Sequence, residues 1–204
     1  MASKKSSDGK HSFASIILII VLFGSLLIAA LVPEQTFEAV RAKEQAQIVS
    51  WLGEDTDQWI LDRIFRWLET VNAEAGNYLE QKESFVGKPA IDQWMVHRVY
   101  AITIWAHVIL YRMGMLILWL AFALPCMLAA FTDGFYQREI SKASFTSQSP
   151  VRHKAGLEMV KLISMLMLLW IFMPVFISII IAPVAIAAGS FAWWMWMSNM
   201  QKRL

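Results

Sequence analysis

The side chains best suited to metal binding or catalysis are scattered along this chain. The four histidines are His11, His97, His107 and His153, and Cys126 is the single cysteine. His97 and His107 stand ten residues apart on a predicted helix, which is not the i, i+4 spacing of two ligands to one metal ion. One thiol allows neither an intramolecular disulfide nor a multi-thiol metal site. We therefore expect no metal, and interpret each histidine as a packing or interface residue, with a ligand role as the alternative.

Sequence motifs for enzymatic chemistry are also missing. The chain contains no GK[ST], HExxH, CxxC or GxSxG sequence. The blocks that could span a membrane contain no acidic residue, whereas proton or ion transport normally needs a charge there. The acidic residues outside those blocks have no evident apolar pocket that would suit them to acid/base catalysis. We predict a protein that is not an enzyme, binds no cofactor and works through contact.

The composition predicts an integral membrane protein. Of the 204 residues, 57% are hydrophobic and 17% charged, against about 45–50% and about 25% in soluble domains. The hydrophobic residues are concentrated in long blocks, and a block of about 18 or more uncharged apolar residues is typical of a membrane span. The lipid bilayer is therefore the first predicted partner.

The first two blocks predict one span each. The block 13–32 follows three lysines and is twenty residues long, which favours an uncleaved span over the alternative of a signal peptide. The block 99–131 is too long for one crossing of a core about 30 Å thick. Placing the span at 113–131 leaves Arg112 at the outer interface, where a long side chain can reach the headgroups. We therefore predict Arg112 as an interface anchor and not as a buried functional charge.

The last block predicts two short spans. It runs from 162 to 197 and contains Pro174 and Pro183, which favour a break. Spans at 162–180 and 182–198 joined by a tight turn fit best, and a single kinked helix is the alternative. The interfacial residues of the last span are predicted to be Trp193, Trp194 and Trp196.

The region 33–112 predicts amphipathic helices outside the membrane. Apolar residues recur there at helical spacing on either side of Gly53. Trp51, Trp59 and Trp67 are predicted packing residues of this region. The protruding half of the second long helix would cover the two apolar faces. The alternatives are that these helices lie flat on lipid or dock onto a partner protein.

Charge distribution predicts the orientation. Segments 1–12, 132–161 and 199–204 carry ten basic and four acidic residues, whereas 34–98 carries seven basic and twelve acidic ones. Because basic residues favour the cytoplasmic side, both termini and the central segment are predicted to be cytoplasmic. The predicted fold class is an all-α integral membrane protein with four transmembrane helices and a small helical outer domain. Its predicted segments are 1–12 (tail), 13–32 (first span), 33–112 (outer helices), 113–131 (second span), 132–161 (cytoplasmic loop), 162–180 (third span), 182–198 (fourth span) and 199–204 (tail).

The central segment carries a family resemblance. Its sequence "DGFYQRE", followed by "SPVRHKA", resembles the signature of a family of membrane proteins from conjugative plasmids and integrating conjugative elements. The residues that match are Asp133, Gly134, Gln137, Arg138, Glu139, Ser149, Val151, His153, Lys154 and Ala155. The chain also looks similar to the TraJ-type conjugal transfer protein. The resemblance implies a multi-pass protein of the bacterial inner membrane, and the outer domain is then periplasmic.

The resemblance implies a role in conjugation through a type IV secretion system. Genes of this family tend to lie beside that of the TraD/TraG-type coupling ATPase, which becomes the expected partner. We expect the cytoplasmic docking surface to include Arg138, Lys142, Arg152, His153 and Lys154. Alternatively, these basic residues only orient the chain and contact anionic lipid.

Two other functions stay open from the sequence: a surface-exclusion or immunity protein acting through its periplasmic helices, and a small transporter or channel subunit. The ten basic residues are too dispersed to predict direct nucleic-acid binding. A homo- or hetero-oligomer is left open.

Overall fold

The computed structural model describes residues 13–81, 89–144 and 149–200, with side chains for 19–64, 66, 69, 73, 91–144 and 149–200. Within these ranges the chain is helical and contains no strand, so the all-α prediction is confirmed. The helices are α1 Phe13–Leu31, α2 Glu34–Leu52, α3 Glu54–Gln81, α4 Pro89–Ala143, α5 Pro150–Phe172 and α6 Ile181–Ser198. The predicted tail 1–12 and the last four residues of the predicted tail 199–204 lie outside the described residues.

The first three helices are separated by two sharp breaks. Pro33 follows α1 with an extended backbone, and the chain bends by 109° between α1 and α2. Gly53 separates α2 from α3 with a φ of 85°, a conformation that favours glycine because it has no Cβ. The guanidinium of Arg98 donates to the carbonyl oxygen of Val32 at 2.8 Å, which fixes the end of α1 against α4.

Helix α4 contacts each of the other five helices. It has 55 residues and is about 80 Å long at 1.5 Å per residue, well beyond the ~30 Å of a bilayer core. Both α2 and α3 pack against its N-terminal half. Their shared core contains Ile48 of α2, Ile60 and Ile64 of α3, and Tyr111 and Met115 of α4. The N-terminal half of the long helix thus covers the two shorter helices, as the interpretation favoured by the sequence expects. That this half lies outside the membrane stays a prediction.

Helices α5 and α6 form an antiparallel pair. The side chain of Ser149 caps α5 by accepting from the N–H of Arg152, and Pro150 begins the helix. Gly156 lies near Trp196, whereas Gly189 lies near Ile163, so the two helices run in opposite directions. The prediction of two helices instead of one kinked helix is therefore confirmed.

The break between them lies earlier than expected. Helix α5 ends at Phe172, and residues 173–180 are irregular, so the predicted span 162–180 contains eight residues that are not helical. Pro174 explains the position, since it cannot donate to the helix and disfavours helical backbone at the residue before it. Pro183 stands in the first turn of α6, where a missing N–H costs nothing.

The helices are those of a multi-pass membrane protein. Three helical segments are long and apolar enough to cross a membrane, namely Ile91–Ala143, Pro150–Phe172 and Ile181–Ser198, and the count is up to four if the bent pair α1–α2 forms a span. Four spans and the cytoplasmic position of both termini stay predictions.

The polar segment between the second and third predicted spans is mostly helical and not a loop. Helix α4 continues to Ala143 and α5 begins at Pro150, which leaves only residues 144–149 between them. Polar and charged side chains do not prevent a helix, because its backbone hydrogen bonds are made internally. The serine-rich stretch is where the chain turns, and its residues 145–148 lie outside the described part.

Candidate functional site

A buried ion pair joins α2 to α4. Glu44 and Arg112 are each 1% exposed. The Nε of Arg112 donates to Oε1 of Glu44 at 3.0 Å, and its Nη2 donates to the same oxygen at 2.5 Å. Removing two charges from water costs several kcal/mol per ion unless each finds its counterpart and further hydrogen bonds. The geometry meets the first of these conditions, because the guanidinium engages the carboxylate through two of its nitrogens.

Backbone carbonyl groups meet the second condition. The Nη1 of Arg112 donates to the carbonyl oxygen of Met173 at 2.7 Å, and its Nη2 donates to that of Val175 at 2.8 Å. Nη1 also donates to the carbonyl oxygen of Trp170. The end of a helix leaves its last carbonyl groups without intrahelical donors. Arg112 therefore supplies donors where α5 ends, and it holds α2, α4 and the break after α5 together. We call Glu44, Arg112 and the carbonyl groups that Arg112 contacts the charge centre.

Four further hydrogen bonds connect α2 and α4 to α3 and to the segment that precedes α6. The hydroxyl of Tyr111 donates to Oδ1 of Asp57 at 2.5 Å, and the amide of Gln45 donates to Oδ2 of the same carboxylate at 2.7 Å. Gln47 donates to the Oγ of Ser178 at 2.7 Å and accepts from the N–H of Ile179 at 3.1 Å. Residues of α2 therefore contact both α3 and the segment that leads into α6.

The structure contradicts the prediction that Arg112 is not a buried charge, whereas its position at the membrane interface stays a prediction. Its side chain points into the protein, because a carboxylate 68 positions earlier and the carbonyl groups of the α5 break receive it there. One signal of this contact is present in the sequence. Glu44 falls on the apolar stripe of α2, between Phe37 and Val40 on one side and Ile48 on the other, and a carboxylate at such a position requires a buried cation.

The charge centre holds its helices in place, and neither Glu44 nor Arg112 is available to bind a metal ion or another ligand. Glu44 and Arg112 are occupied by each other and by backbone carbonyl groups. Within the described residues, no three His, Cys, Asp or Glu side chains come together in a way that could hold a metal ion. His97 and His107 do not share a site, since His97 contacts Glu34 at 3.2 Å near the protein surface and His107 is buried in α4.

The tryptophans predicted to pack the outer helices are more exposed than expected. Trp51 is 58% exposed and Trp59 is 45% exposed, whereas Ile48, Ile60 and Ile64 form the core between them. The aliphatic side chains take the buried face of each helix, and the indole rings lie at its edge. The side chain of Trp67 lies outside the described residues.

The tryptophans near the end of α6 pack beside the C-terminal part of α4. The indole N–H of Trp194 donates to Asp133 at 2.7 Å. The ring of Trp193 meets that of Phe131 edge to face, with 6.5 Å between centroids. The backbone of Trp196 lies against α5. Their place at a membrane interface stays a prediction.

A glycine of the family signature and a glycine directly after the signature both lie against α6. A Cβ at Gly134 would lie 3.1 Å from the carbonyl oxygen of Trp194, and one at Gly156 would lie 2.8 Å from the backbone nitrogen of Trp196. Gly156 directly follows the signature residue Ala155. The absence of a Cβ allows α4 and α5 to approach the same turns of α6, so Gly134 of the signature and the adjacent Gly156 shape the fold.

The predicted docking residues flank the turn between α4 and α5. Arg138 and Lys142 lie on the last turns of α4 and are partly buried, and Lys142 pairs with Glu139. Arg152 and Lys154 are exposed in the first two turns of α5, while His153 between them is partly buried. The structure therefore places all five at one end of the molecule.

Comparison with known proteins supports the resemblance found in the signature. Residues 27–201 match a family described as "IncC plasmid conjugative DNA transfer protein DtrJ-like". No curated protein and no solved structure matches the chain. A relation to TraJ-type proteins stays a prediction. Since the match includes all or part of every helix, the chain belongs to the DtrJ-like family of conjugative DNA transfer proteins.

Proposed function

We propose that this protein is a non-enzymatic inner-membrane accessory of a conjugative type IV secretion system, which binds the coupling ATPase and positions it for DNA transfer. Membership of a conjugative DNA transfer family and the apolar helices support a role at the membrane. The family description names transfer itself, which favours this role over surface exclusion or immunity. A transporter is less favoured, because the charges of Arg112 and Glu44 are engaged by each other and by carbonyl groups.

The observation that carries the proposal is the helical end formed by α4 and α5. Beyond the predicted end of the second span at Phe131, α4 continues for twelve residues, which is about 18 Å. This extension exposes Tyr136 and Ile140, at 65% and 66%, and they lie four residues apart on one helix face. Val151, at the start of α5, is 77% exposed.

Basic groups stand beside these apolar side chains. Arg152 and Lys154 are exposed directly after Val151. Apolar anchors surrounded by charges are typical of protein interfaces, in which the charges select the partner and its orientation. A coupling ATPase with an acidic membrane-proximal surface would fit this end of the molecule.

The test is co-purification of the coupling ATPase in detergent. Charge reversal in Arg152→Glu/Lys154→Glu is expected to reduce recovery of the ATPase at least tenfold, since about 1.4 kcal/mol corresponds to a factor of ten. Tyr136→Ala/Ile140→Ala should act in the same direction. The matched control is Lys43→Glu, an exposed charge change on α2, which should leave recovery unchanged.

A different site of docking would give the opposite pattern. If both variants at the α4–α5 end keep the ATPase while Trp59→Ala loses it, docking takes place on α3, and the basic residues serve orientation only.

A separate experiment, thiol labelling of single cysteines, tests on which side of the membrane the α4–α5 end lies. In a Cys126→Ser background, an impermeant thiol reagent applied to spheroplasts should label a cysteine at Glu69 and not one at Ser144. Labelling at Ser144 alone would place the α4–α5 end outside the cytoplasm and contradict the proposal.

A further inference from the structure

An apolar groove lies between α3 and α4. Its volume is about 430 Å³, which is within the roughly 300–1,000 Å³ of small-molecule sites. Ile60 and Ile64 of α3 face Leu110, Met113 and Ile117 of α4 across it. The groove is therefore a place where an apolar chain could lie between two helices.

One cation stands at the edge of this groove. Arg63 is the single charged residue among those that line it, and its guanidinium lies over the ring of Trp59 at 5.4 Å from the centroid. Both side chains are exposed. A guanidinium held on an aromatic face keeps its N–H donors free at the edge for a phosphate group.

The position of the groove favours lipid as its occupant. Met113 and Ile117 open the predicted span 113–131 and are 43% and 58% exposed. The groove therefore begins where the apolar surface of the span begins. Arg63 would lie at the level of the headgroups, while the apolar walls would lie at the level of the acyl chains.

We propose that this groove binds one acyl chain of an anionic phospholipid, whose phosphate pairs with Arg63. The chain covers Met113 and Ile117, which would otherwise leave an apolar cleft open at the membrane boundary. The charge of Arg63 selects a lipid with net negative charge over a zwitterionic lipid with the same chains. This proposal is independent of the coupling ATPase.

Native mass spectrometry of the detergent-purified protein tests the charge selection. Phosphatidylglycerol and phosphatidylcholine with identical chains are added at equal concentrations, and retained lipid is counted. Arg63→Gln should reduce retained phosphatidylglycerol at least fivefold and leave phosphatidylcholine unchanged. The matched control is Arg66→Gln, because Arg66 is also exposed on α3 but does not line the groove. Equal losses in both variants would show nonspecific surface attraction and overturn the proposal.

A second variant tests the apolar walls. Ile117→Trp should fill the groove and reduce retention of both lipids, whereas Leu124→Trp, at another exposed position of α4, should not. If Ile117→Trp keeps both lipids but loses the coupling ATPase, the groove is a protein-binding site and the lipid proposal is wrong.

Cross-linking of the wild-type protein avoids any effect of the variants on folding. Phosphatidylglycerol with a photoactivatable acyl chain should cross-link to the segment 110–117. Cross-links confined to other exposed parts of α4, such as 120–128, would overturn the proposal.

Discussion

The two halves of α4 are held to their neighbours by different physical means. In the N-terminal half, buried charged and polar groups such as Arg112 and Tyr111 reach carboxylates of α2 and α3. In the C-terminal half, Gly134 brings α4 against α6, where α5 is also held through Gly156. Lipid chains are as apolar as the helices, so small residues that allow close packing are a common source of association between spans. Hydrogen bonds and ion pairs hold the helices together where α2 and α5 meet the N-terminal half of α4. Close packing at glycines holds α4, α5 and α6 together where they run side by side.

This difference predicts opposite sensitivities. At the charge centre, the number of hydrogen-bond donors decides stability, and side-chain volume is secondary. At the glycine contacts, added volume decides stability, because the neighbouring atoms belong to the backbone of α6 and cannot move aside. Substitutions at both places can test the comparison in one unfolding assay in detergent.

The largest effect is expected from Arg112→Ala. It leaves the carboxylate of Glu44 buried without its counterion, which costs about 3–5 kcal/mol. The free energy of unfolding measured by titration with denaturing detergent should fall accordingly. Arg66→Ala, at an exposed position, is the control and should change it little. Equal values for the two variants would refute the role assigned to the centre.

Arg112→Lys sharpens the same point. An ammonium group cannot reach Glu44 and the carbonyl groups of Met173 and Val175 together, since it lacks the planar set of five donors. We expect a loss of about 2–3 kcal/mol, from carbonyl groups left unsatisfied. The same unfolding assay measures it. An unburied anchor at the membrane interface would tolerate lysine. An unchanged free energy of unfolding in Arg112→Lys would therefore contradict the buried role of Arg112.

Gly156→Ala tests the close-packed half. Its Cβ would lie 2.8 Å from the backbone nitrogen of Trp196, which forces α5 and α6 apart, at a cost of about 1–3 kcal/mol. Gly24→Ala is the matched control, because nothing lies within 4 Å of a Cβ there. If both substitutions stabilise equally through helix propensity, the close approach is not needed.

Tyr111→Phe removes a single contact from the polar half. The carboxylate of Asp57 loses the hydroxyl but keeps the amide of Gln45. The free energy of unfolding should fall by about 1.5–3 kcal/mol, as for a hydrogen bond to a charged group. In an Asp57→Asn background the same substitution should cost less, and equal costs in both backgrounds would show that the contact contributes nothing.

The smallest effect is expected from Asp133→Ala. Asp133 accepts from the indole of Trp194 at an exposed position, so the loss should stay near 0.5–1 kcal/mol. A loss as large as that of Gly156→Ala, in the same assay, would mean that the two halves do not differ in the way described.

Several elements could be predicted because their causes are local. Pro33 and Gly53 mark helix ends, since each restricts or frees the backbone of its own residue. Pro174 predicts a break in the last apolar block, but its exact position, at the end of α5, was expected further along the chain. The signature around Asp133 and Ser149 led to the family. The polar composition of 132–161 predicts a loop, and it does not indicate the helices on either side of residues 144–149.

The sequence by itself determined the helical class, the apolar blocks long enough to cross a membrane, and the family. These follow from backbone restrictions, the lengths of apolar runs and a short motif. Only the tertiary structure decided the role of Arg112, since its partners come from α2 and from the end of α5. Only the structure placed Ile60 and not Trp59 in the core. A buried charge is stable only beside groups that face it in space. The spacing of Glu44 on α2 indicates that a cation must meet it, but not that this cation lies 68 positions away.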